Sequence, residues 1–218
     1  MKNLDQRNQI IEYSLKLNST NLSPLRSGNI SLRAEQDNIQ GYLITPSGKK
    51  YETLKPEDIV FMGLNEEEEK NNSTNKPSSE WRFHRDIYVN KKDAKAIVHA
   101  HSPHATAVSS HGKSIPPFHY MIALAGGEDI KCADYATFGT EELSKNVIKA
   151  LENRSACLMS NHGQVAFGKN LEDAFELAQE IENICHQYTI ALKLGQPKIL
   201  SFKEMKKVLD KAKNYKKG

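Results

Sequence analysis

One periodic stretch sets the terms on which this chain can fold. From about Leu171 to Leu194, Leu171, Ala174, Phe175, Ala178, Ile181, Cys185 and Tyr188 fall on one face at helical spacing, and the pattern stops at Gly195-Gln196-Pro197. A helix of that length with a single apolar stripe needs an apolar surface to lie on. That surface comes from short runs bounded by Gly, Pro and Asn, namely Gly41-Tyr42-Leu43-Ile44-Thr45, Ile59-Val60-Phe61-Met62, Ala96 to His101, Ala156 to Ser160 and Gln164 to Phe167. Runs of this kind read as strands. The expected architecture is α/β, a mixed sheet covered by helices.

The rest of the chain fits that plan. Leu4, Ile10, Ile11, Leu15 and Leu17 mark an amphipathic helix over about Asn3 to Asn18, and after a break at Ser23-Pro24 the segment from Ser27 to Arg33 runs into a strand. Trp81, His84, Ile87 and Tyr88 recur at helical spacing after Pro77-Ser78-Ser79-Glu80, so a serine is expected to cap a helix with Glu80 in its first turn. Ser102-Pro103 and Thr140-Glu141-Glu142 open two more helices. The polar tract at 65–76 reads as a flexible acidic loop, and the lysine-rich end at about 203–218 as a solvated helix face with a frayed tail. The 218 residues are expected to form one domain, 1–218.

Composition excludes several classes. A formal net charge of +3 is too small for a nucleic-acid or membrane-surface protein, and no apolar run approaches the roughly 18 residues that span a bilayer. Cys132, Cys157 and Cys185 form no C-x-x-C pair, which speaks against a disulfide framework and for a reducing compartment. The expectation is a cytoplasmic protein.

The residues able to do chemistry are few. His99 and His101 stand two apart on a strand and project to one face, so both imidazoles can reach one cation. A catalytic zinc often keeps three protein ligands and one open position. His162, in the turn Asn161-His162-Gly163, and His104, just past the pair, both compete for the third place. Ser78 and Ser79 at a helix start, with Asn29 and Ser47 in glycine-containing turns, offer donors for a phosphate. Glu80 beside them suits proton transfer, and the phenol of Tyr120 suits proton donation.

Five segments in order, Gly28-Asn29-Ile30-Ser31, Thr45-Pro46-Ser47-Gly48, Pro77-Ser78-Ser79-Glu80-Trp81, His99-Ala100-His101 and Asn161-His162-Gly163, resemble the class II aldolase and adducin head family. The stretches Ile115 to Ile122, Ala125-Gly126-Gly127 and Tyr135 to Thr140 look especially like its branch acting on fuculose phosphate, and the likeness runs from about residue 5 to the C-terminus. It implies a single-domain, largely antiparallel central sheet. It also implies one Zn2+ per subunit on His99, His101 and His162, with His104 outside the ligand set. Asn29, Ser47, Gly48, Ser78 and Ser79 would hold the phosphate. Glu80 would be the acid/base, and Phe138 and Tyr215 would shape the aldehyde side. A homotetramer is implied, its active sites lying between subunits, with Tyr120 reaching in from a neighbour.

The activity implied is a metal-dependent aldehyde-lyase. It would reversibly cleave a ketose 1-phosphate, L-fuculose 1-phosphate or a related 5-deoxypentulose 1-phosphate, into dihydroxyacetone phosphate and a small aldehyde. The turn Ser23-Pro24-Leu25-Arg26-Ser27 and the 65–76 loop depart from the fuculose branch, and the turn resembles relatives acting on 5-deoxyribulose or 5-methylthioribulose 1-phosphate. A methylthioribulose-1-phosphate dehydratase and a sugar-phosphate 4-epimerase share the histidine set. In the epimerase, aspartate stands where this chain has Glu80. An adducin-like module without enzymatic activity is the remaining alternative, and the three histidines argue against it.

Overall fold

The computed structural model describes residues 1–65 and 75–215, with side chains of the last helix as far as 212. Most of the acidic loop expected at 65–76 and the end of the basic tail therefore lie outside the described residues, as does the side chain of Tyr215. Seven strands form one sheet: β1 (Asn29–Gln36), β2 (Ile39–Ile44), β3 (Val60–Gly63), β4 (Ala96–Ala100), β5 (Cys132–Ala133), β6 (Ala156–Met159) and β7 (Gly163–Gly168). Their order is β3-β2-β1-β4-β7-β6-β5, and every pairing is antiparallel except β5 with β6. Among the described residues six α-helices cover it: α1 (Leu4–Ser19), α2 (Trp81–Asn90), α3 (Pro103–Ser109), α4 (Glu141–Ala150), α5 (Leu171–Lys193) and α6 (Phe202–Tyr215). Among the described residues, no helix is long and apolar enough to cross a membrane.

The alternation of side chains along each strand divides the core in two. On one face Ile30, Leu32, Leu43, Val98 and Ala166 pack with Ile10, Leu17, Ala178, Ile181 and Met205 of α1, α5 and α6. On the other, Tyr42, Ile44, Ile97, Val165 and Phe167 meet Phe83, Ile87 and Tyr88 of α2 and Leu143 and Val147 of α4. Each of the Val, Leu, Ile, Phe and Met side chains among these contributes about 1.5–3 kcal/mol by leaving water. The second face also carries polar residues, and those are the ones that concern function.

Helix starts follow local hydrogen-bond chemistry, with two departures from expectation. Thr140 and Asn170 cap α4 and α5 by accepting from Leu143 N and Asp173 N at 3.2 and 2.7 Å. Glu80, expected in the first turn of α2, is instead the residue before it, and Ser78 Oγ accepts from Glu80 N at 3.3 Å. Ser102 heads α3 without capping it through its side chain; Glu182 of α5 accepts from His104 N and Ala105 N, at 2.8 Å each. A partner far along the chain has taken a role that local sequence assigned to serine.

Two of the glycines demanded by close approach lie against the histidine strand. A Cβ on Gly28 would lie 2.6 Å from the His99 carbonyl oxygen, and one on Gly163 only 2.4 Å from that of Ala100. Both contacts are with backbone in the strand that carries the histidine pair. Gly163→Ala is therefore expected to destabilise the protein by about 1–3 kcal/mol. Urea unfolding checks this, and an unchanged midpoint would contradict it.

Candidate metal centre and active site

The register of the sheet assembles the site. Asn29 of β1 lies opposite His99 of β4, and Val165 of β7 lies opposite His99 on the other side. Because directly opposed residues share a face, Asn29 and His99 point toward α2 together. His101 follows at the end of β4, and the β6–β7 turn brings His162 alongside, with Asn161 at φ 54° and Gly163 fitted beneath Ala100. Glu80 enters from the start of α2.

The four side chains converge. The ligand atoms of Glu80, His99, His101 and His162 all lie within 4.8 Å of one another. His99 Nε2 is 2.9 Å from His101 Nε2 and 3.0 Å from Glu80 Oε2, and His162 Nε2 is 3.1 Å from Glu80 Oε1. The three rings stand nearly perpendicular, with centroids 4.8–4.9 Å apart and interplanar angles of 76–82°. His99 Nδ1 faces the Gln164 carbonyl at 2.8 Å. In the neutral ring that contact places the proton on Nδ1 and aims the Nε2 lone pair at the cluster, the arrangement a metal-binding histidine needs.

The electrostatics suit a cation. Burial pushes the Glu80 carboxyl up, but the charge of His99 and the hydrogen bonds from His162 and His99 outweigh it and hold the group well below its ordinary value. His101 is pushed down to about 3, by burial first and then by the charges of His99 and His162, so it is a free base ready to ligate. Glu80 is only 4% exposed, and its Oε1 has no hydrogen-bond partner of proper alignment. A buried carboxylate facing three imidazoles, its Oε1 met only by the poorly aligned His162 ring at 3.1 Å, fits a divalent metal ion. Such a donor set takes zinc and several neighbouring divalent ions.

The other sequence-derived residues divide into four groups. Asn29 joins the cluster, donating Nδ2 to Glu80 Oε2 at 2.9 Å. Ser47, Gly48, Ser78 and Ser79 meet at the rim: Ser47 N donates to Lys76 O and Ser78 N to Thr45 O, each at 3.0 Å, so the two turns are tied together. Gly48 sits at φ 74° with open space above its Cα, and Arg26 Nη1 donates to its carbonyl at 3.0 Å. Phe138 is 64% exposed, next to Gly139, whose missing Cβ makes room for the Ser79 carbonyl. Tyr120 is 55% exposed at the start of a 3-10 helix, its ring 4.9 Å from that of His119. His104 stands apart from the cluster, stacked on His186 with centroids 4.0 Å apart.

Sequence reasoning missed His84. It is fully buried, with Nε2 2.5 Å from Asn29 Oδ1 and Nδ1 2.7 Å from Ser31 Oγ. The signal was present: Glu80, His84 and Tyr88 recur every fourth residue, and Asn29 and Ser31 alternate on one strand.

Comparison with known proteins agrees with this geometry. The family model described as Class II Aldolase and Adducin N-terminal domain matches residues 8–189. The chain belongs to that family. It is 46% identical over 208 residues to the L-fuculose phosphate aldolase of Escherichia coli K12, covering 95% of this chain and 94% of that one. It is 44% identical over 209 residues to the 5-methylthioribulose-1-phosphate/5-deoxyribulose-1-phosphate aldolase of Rhodospirillum rubrum, covering 96% and 91%. A solved L-fuculose 1-phosphate aldolase superposes with a TM-score of 0.89 at 38% identity, over 98% of each chain. With relatives this close, the chain is an enzyme of the aldolase class, a lyase.

The site is expected to bind one divalent ion, with affinity falling as the pH drops and protons compete for the ligand imidazoles. Calorimetric titration with Co2+ checks it: His99→Ala, His101→Ala and His162→Ala should each abolish tight binding, while His104→Ala should not. Retention in all three variants would disprove the assignment.

Proposed function

We propose that the chain reversibly cleaves a ketose 1-phosphate into dihydroxyacetone phosphate and a small aldehyde, using one zinc ion per subunit held by His99, His101 and His162. The substrate is L-fuculose 1-phosphate or a related 5-deoxypentulose 1-phosphate. The observation that carries this reading is the buried Glu80 carboxylate set against three imidazoles, the four ligand atoms all within 4.8 Å of one another. Three cysteines, all unpaired, are in keeping with a cytoplasmic enzyme.

A bound zinc ion supplies Lewis acidity, polarising the carbonyl and stabilising the negative charge left on the three-carbon fragment. The remaining work falls to this chain's own groups. In the synthetic direction Glu80 Oε1 accepts the proton from dihydroxyacetone phosphate, and cleavage returns it to the same carbon. Tyr120 gives its phenolic proton to the aldehyde oxygen as the carbon–carbon bond forms.

The phosphate sits among Ser47, Gly48, Ser78 and Ser79, with the second amide hydrogen of Asn29 available to it, since only one is used on Glu80. Phe138 borders the aldehyde. Tyr120 and Phe138 stand in solvent on the isolated chain, and large exposed aromatics are what a subunit contact covers. A homotetramer in which Tyr120 completes a neighbour's site accounts for them, and 1–218 acts in it as one domain.

L-fuculose, 5-deoxyribulose and 5-methylthioribulose 1-phosphates, each assayed for dihydroxyacetone phosphate, will identify the substrate by kcat/KM. Glu80→Gln is expected to lower kcat by about 10²–10⁴-fold, and Tyr120→Phe to slow the same step. Loss of water from the sugar without release of dihydroxyacetone phosphate would refute an aldolase and indicate a dehydratase.

A further inference from the structure

The Glu80 carboxylate is the last member of a buried chain of hydrogen bonds that runs back through the sheet into α2. Tyr88 Oη lies 2.8 Å from Ser31 Oγ, Ser31 Oγ 2.7 Å from His84 Nδ1, His84 Nε2 2.5 Å from Asn29 Oδ1, and Asn29 Nδ2 2.9 Å from Glu80 Oε2. Ser31 and His84 are fully buried, and Tyr88 is 1% exposed. Elements from both sides hold the chain in register. Asn29 and Ser31 alternate on β1, while Glu80, His84 and Tyr88 follow one another at single-turn spacing along α2.

The direction of every bond in this chain follows from its end. An ionised carboxylate only accepts, so the Asn29 amide must present N–H to Glu80 and its oxygen to His84. His84 then has to carry its proton on Nε2. Its Nδ1 is an acceptor, Ser31 donates to it, and the Ser31 oxygen accepts from Tyr88. All four hydrogens point toward Glu80. Burial first, and then the charge of His99, keep His84 neutral, its pKa pushed down to about 3 against the opposing charge of Glu80. Phe83 stacks on the ring at 4.7 Å and helps fix its plane.

We propose that His84 is a positioning residue for the Glu80 carboxylate: held as the neutral Nε2–H tautomer, it locks the Asn29 amide so that Oε2 is permanently occupied and Oε1 alone exchanges the substrate's proton. Glu80 sets the orientation of Asn29 only while it is ionised; once it holds the substrate's proton, a free amide is able to flip and present its oxygen. A fixed donor behind it removes that freedom. The kinetic consequence rests on the aldolase reading; the tautomer does not.

Two measurements on the zinc-loaded protein test it. Two-bond ¹H–¹⁵N correlations of labelled histidine should show His84 as a neutral Nε2–H ring from about pH 5 to pH 9, where an ordinary histidine titrates. An Nδ1–H ring or a doubly protonated one would overturn the proposal. In cleavage assays His84→Phe keeps the ring shape and the stack on Phe83 but removes the donor. It should lower kcat about 10–100-fold with KM and zinc content close to wild type. His84→Gln, whose amide can donate to Asn29, should recover most of kcat.

A His84→Phe enzyme as fast as wild type overturns the proposal, and so does a loss of kcat that only parallels a loss of zinc. Should His84→Phe not fold, a folded, zinc-loaded His84→Gln variant without activity overturns it as well. A wild-type protein that releases no dihydroxyacetone phosphate from any of the three sugars would instead sink the aldolase reading, with the tautomer result still standing.

Discussion

An ionised carboxylate at the foot of a helix, shut away from water, must be surrounded by donors or charges, and nearly every local feature of the site serves that need. Glu80 is only 4% exposed. Burial alone would protonate it; His99 and His162, with Asn29 behind them, reverse the balance. Removing one partner from a buried charged cluster costs about 3–5 kcal/mol, because the survivor is left uncompensated. The cluster is therefore held by the fold at a cost that function has to justify. A group that binds a cation and moves a proton is such a justification.

The sheet meets this requirement through register. Antiparallel pairing puts Asn29 beside His99, and the β6–β7 turn returns His162 to the same end. Gly28 and Gly163 let the backbone close on the carbonyls of His99 and Ala100, so the histidine strand is gripped from both sides. The turns that carry Ser47 and Ser78 are joined by backbone hydrogen bonds from Ser47 to Lys76 and from Ser78 to Thr45. The three histidines, Glu80 and the two serine-bearing turns are thus tied to the sheet and to one another, while Tyr120 and Phe138 remain exposed.

Much of this could be read from the sequence, for definite reasons. His99 and His101 are legible because strand alternation forces both to one face. The long helix is legible because α5 (Leu171–Lys193) has its stripe and its stop signal. Choosing His162 over His104 needed the resemblance to relatives, since local spacing allows both; the structure separates them by stacking His104 on His186. Glu182 as the cap of α3 lies far along the chain from the helix it serves, and only tertiary packing reveals it. His84 looked like one more member of an apolar helix face. Its role depends on which β1 residues α2 lies across, and no pattern within α2 alone contains that. The two-residue strand β5 is too short to leave a periodic trace.

The claim on which the account turns is that one divalent ion, gathered by His99, His101 and His162, is required for bond cleavage. The direct measurement is stoichiometric reconstitution: chelator-stripped protein is titrated with Zn2+ while release of dihydroxyacetone phosphate is followed from the preferred sugar phosphate. Activity should rise from background in proportion to added ion and stop at one equivalent per chain. Full activity in metal-free protein, or a rise unrelated to occupancy of those three histidines, would contradict it.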